Sequence, residues 1–405
     1  TLGREERYRL MEVMGAGFDP EILPYLDETV REEIVEWLGP DGIAKLVPSL
    51  DSDDAVELVQ DLDDDLRIHI LAALPQAYRR VIEESLSYPE DSAGRLMQRE
   101  VVMAPEHWNV GQTIDFLRES DDLPEQFYHV ILVDPRMKPI GNVTLGKLMG
   151  ARREVPLVEL MEEVFEVIPV DQDEEEVAYA FNQYHLISAP VVDNDDRLVG
   201  VITIDDAMVV LDEEHEEDIL RLAGVGESAL SDSVADTSKK RLPWLGVNLF
   251  TAICASLVIS QFEATISELV SLAILMPIVA SMGGNAGTQS LTVAVRALAT
   301  KDLTGANVWR VIRRELLVGM LNGLCFAAVL GVVGMLWFSS PMLGAVIGTA
   351  LVFNMIIAGF AGTVVPVTLD KLGIDPALAS GTFVTTTTDV MGFFIFLGLA
   401  SKVLL

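Results

Sequence analysis

Beyond residue 243 the chain is a succession of five apolar runs, at about 244–262, 269–299, 315–338, 342–366 and 377–401. A helix needs about 20 apolar residues to cross the hydrocarbon of a bilayer, so each run is expected to be a membrane span. Backbone in hydrocarbon must satisfy its own polar groups, which makes helices of these runs. Asp389 stands out against that composition. It follows Thr385-Thr386-Thr387-Thr388 near the middle of the last run. A carboxylate at membrane depth costs about 3 kcal/mol even on lenient insertion scales, so it marks an ion pathway or a buried partner. No other acid is expected inside an apolar run.

Charge divides unevenly along the chain. Residues 244–405 carry seven acidic and seven basic residues, while the first 243 carry 55 acidic against 21 basic, so the whole net charge of −34 lies in that first part. Such a field repels nucleic acid and anionic substrates and attracts cations. Adaptation to high salt would also produce it. Cys254 and Cys325 both lie in apolar runs, and the five histidines show no ligand spacing. A metal handled here is therefore expected to be hard and oxygen-bound, as Mg2+ or Ca2+ is. No signal peptide begins at Thr1, and the absent Met points to a trimmed or partial N-terminus. Basic residues precede the first run (Lys239, Lys240, Arg241) and separate the second from the third (Lys301, Arg310, Arg313, Arg314). The positive-inside rule then puts the acidic half in the cytosol and the C-terminus outside.

Residues 1–93 read as short helices punctuated by proline, with a unit of about 25 residues repeated around Pro48 and Pro75, as in a small superhelix. Residues 95–150 and 156–212 share one β-α-β-β-α order, and aligning Gly141 with Gly200 sets the repeat at 59 residues. Asp193-Asn-Asp195-Asp196 invites a calcium-loop reading, but Ile204 stands at position twelve and the turn glycine is missing. Residues 207–241 read as one long connecting helix whose Asp212–Asp218 stretch holds six acids in seven residues. Their repulsion disfavours a helix at neutral pH unless cations sit among them. In the second run, Pro277 and Gly283-Gly-Asn285-Ala-Gly287-Thr288-Gln289 predict a broken helix lining a cavity. The same glycines also have the spacing of close helix packing.

The 59-residue repeat resembles a tandem pair of CBS modules. The second unit carries that family's Gly-x-x-Thr-x-x-Asp phrase as Gly200, Thr203 and Asp206; in the first, Lys147 replaces the acid. The resemblance implies an adenine nucleotide such as ATP in the cleft, held through Ala189, Pro190, Thr203 and Asp206.

The order of parts resembles the MgtE-type magnesium transporter family along essentially the whole chain. The most specific phrases are Gly283-Gly-Asn-Ala-Gly287-Thr-Gln289 through Arg296-Ala-Leu-Ala299, and Thr387-Thr-Asp389-Val-Met-Gly392. Tyr88-Pro-Glu-Asp91-Ser-Ala-Gly94 and Glu216-Glu217-Asp218-Ile-Leu-Arg221 support it. The implied architecture is a multidomain membrane protein: an acidic α-superhelical domain (1–93), an α/β CBS pair (94–154 and 155–211), a connecting plug helix (212–243) and a five-helix pore domain (244–405). The resemblance implies a homodimeric, non-enzymatic Mg2+ channel of the cell (inner) membrane. Asp389 and Thr385, with Asn285 and Gln289, would line its pore. Cytosolic Mg2+ would bridge Asp54, Asp91, Asp206, Glu214, Glu217 and Asp218 to hold the gate shut, with ATP tuning that response. Composition alone also fits a CBS-regulated carrier of another divalent cation or a proton-coupled carrier.

Overall fold

The computed structural model of the chain describes the backbone of all residues except 1, 15–17, 25, 27, 61, 63, 121–122, 125, 163–165 and 226–233, and leaves out in addition the side chains of 28, 29, 32, 64, 236 and 379. Asp61 and Asp63, and the side chain of Asp64, thus lie outside what is described. The chain divides into two compact units, Thr1–Glu214 and His215–Leu405.

The first unit opens with helices α1 (Arg4–Met14), α2 (Glu28–Leu46), α3 (Ser52–Gln60), α4 (Asp64–Ala73) and α5 (Gln76–Ser85). Gly39, at φ +66, kinks α2 ahead of Pro40, where the sequence marks a break. These helices share a core of Ile34, Ile43, Val47, Val56, Val59, Ile70 and Ile82, and α3 opens with the acidic first turn Asp53 and Asp54.

After α6 (Ala93–Leu96) come two copies of one motif. The first is β1 (Met103–Pro105), α7 (Val110–Glu119), β2 (His129–Val133), β3 (Pro139–Thr144) and α8 (Leu145–Gly150). The second is β4 (Ile168–Pro169), α9 (Glu174–Tyr184), β5 (Ser188–Val192), β6 (Leu198–Thr203) and α10 (Ile204–Leu222). In each sheet the middle strand pairs parallel to the first and antiparallel to the third. The repeat holds to the residue. His129 pairs with Thr144 and Ser188 with Thr203, and the register slips at Leu132/Val133 and at Val191/Val192. Asp134 Oδ1 accepts from the amides of Arg136 and Lys138, and Asp193 Oδ1 does the same for Asp195 and Arg197. Asp193 therefore closes a hairpin turn, not a calcium loop. Ile131, Val133 and Val201 join the two sheets, which neither motif could cover alone.

The connecting segment departs from the single helix expected. Helix α10 starts inside the second motif and ends at Leu222, just before Gly224, where φ is +69. The Val225 amide donates to the Leu220 carbonyl and the Gly224 amide to that of Arg221, the paired bonds that stop a helix at a left-handed glycine. A new helix, α11, runs Val234–Ser260.

The rest of the second unit is α12 (Glu263–Glu268), α13 (Ser271–Ala299), α14 (Val308–Phe338), α15 (Pro341–Lys371) and α16 (Pro376–Val403). Four helices among the described residues are long and apolar enough to cross a membrane: within α11, α14, α15 and α16. Helix α13 has the length, but its Asn, Thr and Gln residues lower its hydropathy. Nor is it broken. It stays helical through Pro277 and the glycines. The glycines serve packing: a Cβ on Gly287 would meet Val384 at 2.6 Å, and one on Gly362 of α15 would meet the Gly287 carbonyl at 2.6 Å. Helix α15 is the hub, approached at backbone distance by Gly319 and Gly323 of α14 as well. Asp375 caps α16 by accepting from the Ala377 amide at 2.7 Å, with Pro376 in the first turn.

Candidate ion pathway and acidic clusters

Asp389 lies midway along α16, half-buried, and no described residue hydrogen-bonds or ion-pairs with its carboxylate. The threonines before it spend their hydroxyl protons on their own helix: Thr385 on the Gly381 carbonyl (3.0 Å), Thr386 on Thr382 (2.6 Å), Thr387 on Phe383 (2.8 Å) and Thr388 on Thr385 (2.9 Å). That leaves the oxygens of Thr385, Thr386 and Thr387 as acceptors only, suited to the waters around a cation, while Thr388 is fully buried. Thr388 packs at the level of Gly287, its methyl 3.6 Å from where a Cβ there would sit. Asp389 is therefore level with the polar stretch of α13.

That stretch has two opposite faces. Gly283, Gly287, Ser290, Leu291 and Ala294 are buried against the bundle. Ser281, Asn285, Thr288, Gln289 and Thr292 recur at helical spacing on the other face and are exposed. Asn285, Thr288, Gln289 and Thr292 line a cavity of about 460 Å3 completed by Asn322 and Phe326 of α14 and Met355 of α15. A second acid, which the sequence places at the start of a run, is buried within a membrane-length helix. Because α14 begins at Val308, Glu315 lies two turns inside it, buried, accepting from the Ser290 hydroxyl at 2.8 Å. The expectation that Asp389 is the only acid within an apolar helix is thus corrected.

In the first unit, acids from distant stretches converge. Asp51, Asp53, Asp54 and Glu57 of the α3 region face Asp205 and Asp206 at the start of α10. Burial, with Asp206 and Asp54 beside it, holds the Asp53 carboxyl well above the usual range. Burial and Asp206 push Asp54 up to about 7. Burial, with Asp205 and Glu57 adding, raises Asp206 to about 6 against the hydrogen bond from Thr203. A second cluster centres on Glu174, which the sequence analysis did not single out: burial, then Asp91, Glu214 and Glu213, push it to about 7. Its signal was its place in an acidic first turn of α9. Asp54 and Asp206 thus meet in one cluster, Asp91 and Glu214 in another. Among the described residues no three acids or histidines converge as a metal's direct ligands.

Glu217 and Asp218 belong to the second unit. Arg221 pairs with Glu217 and donates to Asp375 Oδ2 at 2.8 Å, while burial and Asp375 raise the Asp218 carboxyl. The Leu222 carbonyl lies 3.6 Å from a Cβ position on Gly381, so the end of α10 abuts the first turns of α16. In the second motif, Ala189 and Pro190 are buried in β5 and Thr203 faces both Asp205 and Asp206. The cleft beside them, walled by Phe127, Tyr128 and His129, encloses about 20 Å3, room for a water.

Residues 276–399 match the family model of MgtE divalent cation transporters, residues 1–91 the MgtE intracellular N domain and residues 157–213 the CBS domain. The magnesium transporter MgtE of Enterococcus faecalis is 35% identical over 79% of this chain and 71% of its own length. The chain belongs to the MgtE family. The magnesium transporter MgtE of Thermus thermophilus is likewise 35% identical, over 80% of this chain and 73% of its own. A crystal structure of the cytosolic domain of the Mg2+ channel MgtE in complex with ATP aligns with 52% of this chain and 86% of its own, at 29% identity and a TM-score of 0.48. As MgtE relatives are named magnesium transporters, Mg2+ is the family's cargo, carried by a membrane domain that follows an intracellular one.

Proposed function

We propose that the chain forms a homodimeric Mg2+-selective channel for magnesium uptake, gated by cytosolic Mg2+. The observation that carries this is the outward polar face of α13 level with Asp389, which no described residue pairs. Lipid cannot satisfy a stripe of Asn, Thr and Gln, so α13 is read as a fifth span whose polar face meets water, with the same face of a second copy opposite. Mg2+ gives up its inner waters reluctantly. Asn285, Gln289 and Thr385 would hydrogen-bond those waters while Asp389 supplies the charge. In this orientation the acidic unit is cytosolic and the C-terminus lies outside.

Gating uses the acidic clusters. Asp54 with Asp206, and Asp91 with Glu174 and Glu214, repel one another unless hydrated Mg2+ bridges them; Glu217 and Asp218 sit where α10 meets α16. Bridging would favour the arrangement in which α10 holds the mouth of α16 closed. An adenine nucleotide at Thr203 and Asp206 is the remaining part, and it requires the Phe127–His129 wall to open; titration calorimetry with ATP, and with T203V as control, tests it. Purified protein in liposomes at fixed pH, assayed for flux of Mg2+, Ca2+, Co2+ and protons, tests the whole. Mg2+ flux that falls when Mg2+ on the cytosolic side rises is expected. Proton flux coupled to another solute would instead favour a carrier.

A further inference from the structure

We infer that Asn354 is a positioning residue that sets the separation of α13 and α16, and with it the geometry of the ion path. The inference rests on the pore reading above for its consequence, though not for its geometry. Asn354 lies in the hub helix α15 and is fully buried. Its amide fills a slot cut by two glycines from different helices. A Cβ on Gly283 of α13 would come within 2.2 Å of Nδ2, and one on Gly392 of α16 within 2.8 Å; each would also lie 3.1 Å from Oδ1. Nδ2 donates to the Val279 carbonyl of α13 at 2.9 Å, while Oδ1 has no partner among the described residues.

Simple filling does not account for this side chain. A leucine has similar volume and would leave no buried acceptor unpaired, a costly condition in an apolar interior. What the amide adds is flatness, which lets two glycine backbones close on its faces, and a tether to one of them. Gly283 stands two residues from Asn285, and Gly392 three from Asp389. Any change in the slot therefore reaches the polar stripe and the carboxylate within one helical turn on each side. Asn354 touches no ion in this role; it acts through the two helices that do.

The test exchanges volume across the slot. N354A, G283A, G392A and the pair N354A/G392A are compared for Mg2+ flux and Mg2+/Ca2+ permeability ratio in liposomes. Separately, spin labels at Thr292 and Met391, in protein lacking Cys254 and Cys325, report the α13–α16 distance. We expect N354A and G392A each to lower flux at least about tenfold, or shift the ratio by that factor, and the pair to recover to within about threefold of the parent. We expect N354A to shift or broaden the label distance. An unchanged distance in N354A overturns the proposal, as does G392A being equally damaging with and without Asn354. If N354A does not assemble, G283A and G392A carry the same distance test from the glycine side. The distance readout stands even if D389N conducts normally, an outcome that would sink the pore reading alone.

Discussion

At the scale of single residues, the proposed ion path turns on Asp389, because no described residue neutralises it. An ion held about 5 Å away through a water, at an effective dielectric of about 20, is attracted by several kcal/mol per carboxylate. Asp389→Asn keeps the shape and removes that charge, so Mg2+ uptake is expected to fall at least tenfold, each factor of ten being about 1.4 kcal/mol. Uptake in liposomes unaltered by the change would remove Asp389 from the path. The residue was legible from sequence because an acid in an apolar run is conspicuous. Glu315 was not. It stands at the edge of a run, with Arg313 and Arg314 beside it, and only the packing that brings Ser290 of α13 against it shows it buried. Glu174 was hidden for a different reason: its neighbours Asp91 and Glu214 are far away in the chain.

Elements pack here by backbone contact, and that makes small residues decisive. A Cβ on Gly319 would fall 2.5 Å from the Met355 carbonyl oxygen, part of a helix that cannot yield. Gly319→Ala is expected to lower the stability of the detergent-solubilised protein by about 1–3 kcal/mol. Gly246→Ala, with nothing within 4 Å, is expected to be neutral or mildly stabilising. Equal thermal midpoints for the two variants would refute the packing account. The end of α10 offers a second test. Arg221 and Asp375 form a pair with side chains 29% and 27% exposed. Charge-assisted bonds of this kind contribute about 1.5–3 kcal/mol. If that bond favours the closed mouth, Arg221→Ala should raise flux at high cytosolic Mg2+ about tenfold while Arg221→Lys largely restores control. An unchanged leak in Arg221→Ala would rule the pair out as a latch.

For the whole molecule, the acidic clusters tie stability to pH and, on the proposed function, to Mg2+. Carboxyls that titrate near 4 in an unfolded chain hold their protons to about 7 at Asp54 and Glu174 and about 6 at Asp206. Between those values the folded state binds more protons than the unfolded one, so stability falls as pH rises from about 4 to about 7. On the proposed bridging, divalent cations would replace those protons. In metal-free buffer, hydrogen exchange of α3 and of the β6–α10 junction is therefore expected to be faster at pH 8 than at pH 5.5, and millimolar Mg2+ should slow it mainly at pH 8. Equal slowing by NaCl at matched ionic strength would point to screening of a salt-adapted surface instead.

What sequence alone determined was whatever depends on local pattern or on periodicity. The apolar runs, the uneven charge, the 59-residue repeat and the proline-capped start of α16 all read directly from neighbouring residues. Tertiary structure decided what depends on who faces whom. Glycines that read as a break in α13 lie in an unbroken helix and let α15 and α16 press against it. The connecting helix stops at Gly224, where a left-handed residue closes the carbonyls behind it. Acids dispersed over some 150 residues gather into clusters only once the helical domain folds against the CBS pair. A run's hydropathy is a sum over its own residues, whereas a carboxylate's charge state and a glycine's purpose belong to the atoms that surround it.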